Sequence, residues 1–69
     1  MAGEIKSAAE ATKIASTFLK QYYGFLRPIS AKRYEGIWKV RIDVGVVDET
    51  IAEVEVDAST SEVIEYSMP

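Results

Sequence analysis

Cysteine and histidine are both absent from this chain of 69 residues. Without cysteine there is no disulfide and no thiolate nucleophile. Without histidine the usual general base and the commonest metal ligand are missing. Small secreted domains are normally stapled by disulfides, so their absence points to a reducing compartment, and a cytoplasmic protein is expected. Two prolines and four glycines leave no room for a flexible linker, and no repeat or low-complexity tract is present. No apolar run approaches the ~18 residues of a membrane span. The opening MAGEIKSAAEATK has no apolar h-region, so no signal peptide is expected.

Charge of one sign is missing from a whole section. All eight Lys and Arg lie in residues 1–41, against three acids, which gives +5. Residues 42–69 carry eight acids and no base, which gives −8 and a net charge of −3. A split of this kind marks a nucleic-acid-binding half, an acidic tail, or two halves that pair inside one fold. The strand patterns below favour pairing.

What is present is 48% hydrophobic, the composition of a folded domain rather than a disordered one. The length fits one small domain, residues 1–69. Such a domain buries only about 60% of its unfolded surface.

Ser7-Ala8-Ala9-Glu10 has the form of a capping box, in which the Ser hydroxyl takes the N–H of Glu10 and the Glu side chain returns to the N–H of Ser7. Ala8, Ala11, Ile14, Ala15, Phe18, Leu19 and Tyr22 then recur at three- and four-residue steps. They predict a helix over roughly 8–23. Gly24 is placed to end it in the left-handed conformation, with Phe25 folding back on Leu19. Arg27, before Pro28, should be extended.

The remainder alternates. ISAKRY (29–34) and IWKVRIDV (37–44) flank Glu35-Gly36. A two-residue turn there sets Ala31 opposite Val40 and Ile29 opposite Ile42. Arg33 then stands beside Trp38, where its guanidinium can lie on the indole. IAEVEVD (51–57) puts Ala52, Val54 and Val56 on one face and Glu53, Glu55 and Asp57 on the other. Pairing Val54 with Ile42 sets Arg41 against Glu55, Lys39 against Asp57 and Asp43 against Glu53. The connection needs an odd number of residues or a bulge, and Gly45 suits a bulge. After a polar turn, EVIEY (62–66) is a last strand with Ile64 and Tyr66 inward and Val63 outward. Residues 67–69 are expected to fray. The expected fold is α+β: one N-terminal helix packed on a four-stranded antiparallel meander sheet.

This arrangement resembles a PepSY-type domain. The helix Ala8–Tyr22, the strand with Gly36, Trp38 and Val40, and the closing Val56-Asp57-Ala58 with Glu62-Val63 carry the resemblance over about nine-tenths of the chain. Ser61 stands where that family usually has glycine. The family's domains are mostly exported or membrane-tethered, unlike the expectation here. The resemblance implies an interaction or regulatory module, sometimes a peptidase inhibitor, with no catalytic residues to carry over. The tail AEVEVDASTSEVIEY is similar as well to the end of gas-vesicle accessory protein O, whose acidic and Arg-Pro segment between strands is missing here.

The chemistry-bearing residues point away from an enzyme. Ser30, Lys39 and Arg41 are neighbours on an open sheet face, which lacks the dry pocket that shifts a pKa. Asp48, Glu49, Glu53, Glu55 and Asp57 lack the spacing of a calcium loop. Alternate strand residues, about 6–7 Å apart, do not converge on one ion. No metal, cofactor or small-molecule ligand is expected. Arg27, Lys32, Arg33, Lys39 and Arg41 with Tyr34 and Trp38 suggest nucleic acid as an alternative. An inward Trp38, the adjacent acidic strand and a pI near 4.8 argue against it. The expected function is a non-catalytic interaction module that meets a protein partner or a second copy. Its candidate partner-binding residues are Lys39, Arg41, Glu53, Glu55 and Val63.

Overall fold

The helix begins where a hydroxyl takes over an unpaired backbone donor. Ser7, in extended conformation, accepts the N–H of Glu10 on its Oγ at 3.2 Å. Glu10 does return its carboxylate, but to the N–H of Lys6 at 2.8 Å rather than to that of Ser7. The computed structural model describes residues 5–68 and shows α1 at Ala8–Leu19, β1 at Arg27–Tyr34, β2 at Ile37–Asp43, β3 at Ile51–Asp57 and β4 at Val63–Ser67. The four strands form one antiparallel sheet in chain order, and α1 packs across one face of it. This is the expected α+β meander. Residues 1–4, part of the opening stretch, and Pro69 lie outside the described residues.

The helix is shorter than its apolar stripe. It ends four residues before the expected limit, with Lys20 still right-handed at the C-cap. Gln21 and Tyr22 donate three residues back, to Phe18 and Leu19, which tightens the final turn out of α geometry. Gly24 does not take the left-handed conformation. Tyr23 and Leu26, rather than Phe25, cover this end of the core. Ala11, Ala15 and Leu19 are fully buried, while Ala8 and Tyr22 at the ends of the stripe are exposed.

Val40, Ile42, Ala52, Val54 and Val56 line the face beneath the helix, and Trp38 closes one side. Ile5, Val44 and Ala58 complete the cluster from outside the regular elements. The Ile5 N–H donates to the carbonyl of Ala58 at 2.7 Å, and the Ala58 N–H to that of Gly36 at 2.9 Å. Ile5 therefore seals the end of the sheet ahead of the helix, 2% exposed.

The β1–β2 hairpin has the two-residue turn. Glu35 (φ 49°) and Gly36 (φ 77°) are both left-handed, as the primed turn that matches strand twist requires. Ala31 faces Val40 and Arg33 faces Trp38 as expected. The ladder then shifts: Ser30 pairs with Arg41 but Pro28, not Ile29, pairs with Ile42. Ile29 is the extra residue of a bulge and is 47% exposed. The shift brings Arg27 opposite Asp43.

β2 and β3 pair two residues away from the expected register. Val40, not Ile42, faces Val54; Lys39 faces Glu55 and Arg41 faces Glu53. A slip of two leaves every side chain on the same face, so alternation alone does not separate the two registers. The observed one replaces the Asp43–Glu53 repulsion with Asp43 opposite Ile51. It also frees Asp43 to hold the connecting loop. The loop has the odd length that parity requires, but Gly45 is no bulge. A Cβ there would collide with the Asp48 carbonyl oxygen, so glycine permits a close backbone approach.

β4 reverses two expectations. Val63 pairs with Val56 and packs against the core, so it faces inward. Ile64 is the extra residue of a second bulge and is 49% exposed. One added residue in β4 inverts the alternation on its N-terminal side, and this places Val63 under the helix. Tyr66 faces Val54 and meets the Phe18 ring at 5.0 Å, as an inward residue should. Ser67 belongs to β4, and Met68 packs against the core instead of fraying. Both edge strands thus carry a bulge, a common way to blunt an edge against further pairing.

Candidate functional site

Among the described residues nothing covers the sheet face turned away from α1. Its side chains follow from strand parity and fall into cross-strand rows. One row reads Lys32, Lys39, Glu55, Glu65 from β1 to β4, and the next reads Ser30, Arg41, Glu53, Ser67. Lys32 and Lys39 are directly opposed, and so are Glu55 and Glu65. The chain's charge split therefore becomes a gradient across one face, positive on β1 and β2 and negative on β3 and β4.

The middle of the gradient is paired. Arg41 Nε lies 3.2 Å from Glu53 Oε2, and Lys39 Nζ lies 3.9 Å from Glu55 Oε2. Both cations are more than half exposed, so each pair contributes at most about 1 kcal/mol and fixes side-chain direction more than stability. Lys32 and Glu65, at the outer ends of the row, make no ion pair among the described residues. Ser30, Lys32, Lys39, Arg41 and Glu53 surround a shallow depression of about 140 Å³ on the basic side.

Two other carboxylates on this face are committed to loops. Asp43, 3% exposed, accepts the N–H of Gly45 at 2.9 Å and of Thr50 at 3.0 Å on Oδ1, and Arg27 Nη2 at 3.0 Å on Oδ2. The Thr50 and Gly45 amides hold its carboxyl below the ordinary range; Arg27 adds to this and burial opposes it. Asp57 Oδ1 takes the Ser59 hydroxyl and the N–H groups of Ser59 and Thr60, which lower its pKa in the same direction. Ser61 in that turn is left-handed at φ 65°, a conformation that glycine adopts most easily.

Of the five candidate residues, Lys39, Arg41, Glu53 and Glu55 share this outer face and form two ion pairs across its middle strands. Val63 lies on the opposite side of the sheet, against the core. Lys32 and Glu65 extend the same row and were marked by their parity, though not by any motif. The exposed valines of the β2–β3 loop carried no such signal: Val46 and Val47 are 81% and 91% exposed. Trp38 is buried, which leaves Tyr34 as the exposed ring beside the basic strands. Among the described residues no three carboxylates converge as a metal site, and no helix is long and apolar enough to cross a membrane. No protein-family model, curated protein or solved structure matches this chain.

Proposed function

We propose that this chain is a non-catalytic interaction module of the cytoplasm, PepSY-like in arrangement, that meets a protein partner through its outer sheet face. One observation carries the reading. The face is charged in ordered rows, held by two ion pairs in the middle, with Lys32 and Glu65 on its rims outside any ion pair among the described residues. Oriented charge of both signs selects a partner with the reverse pattern and steers its approach. The resemblance to PepSY-type domains supports a regulatory or inhibitory role. Nucleic acid is the poorer fit, because the basic strands offer one exposed ring, Tyr34, and Glu53 lines the same depression as the cations.

The test is site-specific photo-crosslinking in cells. A photoreactive residue at Lys32 or Glu65 should give discrete crosslinked products, and one at Lys13 on the exposed side of the helix should not. Crosslinks from Lys13 alone would contradict the reading.

A further inference from the structure

We propose that the occupant of the outer face is a second copy of this chain, related by a two-fold axis parallel to the strands and running between β2 and β3. The proposal rests on the reading of that face as an interaction surface and names its partner. A rotation about such an axis lays β1 over the partner's β4 and β2 over the partner's β3. Lys32 then meets the partner's Glu65, Lys39 the partner's Glu55, and Arg41 the partner's Glu53. Every contact occurs twice, as an isologous interface demands. An axis across the strands would instead lay lysine on lysine.

Three features of the monomer fit this geometry. The row Lys32, Lys39, Glu55, Glu65 is its own complement when reversed. Two like-charge pairs, Lys32 with Lys39 and Glu55 with Glu65, each mildly unfavourable in a lone sheet, gain opposite charges across the interface. The depression between Ser30, Lys32, Lys39, Arg41 and Glu53 sets three cations against one carboxylate, itself held by Arg41, and so offers a seat for one incoming carboxylate.

Size sets the strength. Four strands about 4.8 Å apart, five to eight residues long, present a footprint of roughly 400 Å². A standard interface takes about 800 Å² from each partner. The dimer is therefore weak, reversible and dependent on charge, and salt dissociates it.

The test is sedimentation equilibrium at low and high salt, with circular dichroism to verify folding. The wild type should dimerise reversibly at low salt and become monomeric at high salt. K32E and E65K should each weaken self-association by about tenfold or more, through two repulsive contacts per dimer. An equal mixture of the K32E and E65K chains should recover dimerisation, and so should the double variant K32E/E65K, which also serves if either single variant fails to fold. A carbodiimide crosslink between Lys32 and Glu65 should join two chains, since the residues lie three strand spacings apart, about 14 Å, within one. A wild type monomeric at every concentration and salt, or a mixture that does not recover, overturns the second copy. If the photo-crosslinks from Lys32 and Glu65 then lead to a different protein, the reading of the outer face survives; if they lead nowhere, it falls as well.

Discussion

Arg27 holds Asp43 across the first two strands, with Nη2 3.0 Å from Oδ2. The same carboxylate ties both ends of the β2–β3 loop through Gly45 and Thr50. Asp43→Ala should lower the melting temperature more than removal of any carboxylate in the two middle ion pairs, because it leaves two loop amides without their acceptor. Asp43→Asn, whose oxygen can still accept from both amides, should fall between that variant and the wild type. Thermal melts followed by circular dichroism check the order.

Acid should act through the same group. The Asp43 carboxyl titrates below its ordinary value of 3.8, held there by the Thr50 and Gly45 amides first and by Arg27 as well. A pKa lower in the folded state than in the unfolded chain contributes stability above the unfolded value, and that contribution is lost as pH falls through the folded one. Asp57 acts in the same direction. Tm should stay level with respect to these groups above the carboxylate range and drop steeply below 3.8. The drop should be shallower in Asp43→Asn. An equal drop in that variant would assign the acid sensitivity elsewhere.

Leu19 is fully buried, whereas Phe18 is half-buried and shares its exposed ring cluster with Tyr22 and Tyr66. Leu19→Ala should cost about 2–5 kcal/mol, a large share of what a domain this small has. Phe18→Ala should cost less than the 3–5 kcal/mol typical of a fully buried aromatic. Urea unfolding of both variants would show the order, and a larger loss from Phe18→Ala would contradict the assigned packing.

The Glu35-Gly36 turn is open to improvement at one position only. Glu35 is a non-glycine residue at φ 49°, where asparagine is better tolerated, so Glu35→Asn should stabilise by a few tenths to about 1 kcal/mol. Gly36→Ala should destabilise by about 1 kcal/mol or more, since φ is 77° there although no atom crowds the position. Both are readable as shifts in the urea midpoint.

Alternation made the two sheet faces, the meander and the β1–β2 turn legible, because each depends on a period of two or a single dipeptide. The β2–β3 register did not follow, since a two-residue slip preserves every face. Its choice depends on Asp43 bonding to Thr50, seven residues away. The bulges at Ile29 and Ile64 each sit in a strand whose alternation reads equally well without them, and the second one turned Val63 from the outer face to the core. Ile5 lies ahead of the capping residue, outside the helical stripe, so no periodicity marked it as core. The outer face was largely visible, four of its candidate residues lying together there, because exposed charges need only parity to be placed.

The most direct measurement is a ¹H–¹⁵N spectrum of the labelled protein recorded from micromolar to millimolar concentration at low salt. Concentration-dependent shifts and broadening should be confined to the amides of the outer-face rows, Lys32, Lys39, Arg41, Glu53, Glu55 and Glu65 among them, and should vanish at high salt. Shifts confined to α1 or to the Val46–Val47 loop, or a spectrum that does not change with concentration, would contradict the pairing of two copies through this face.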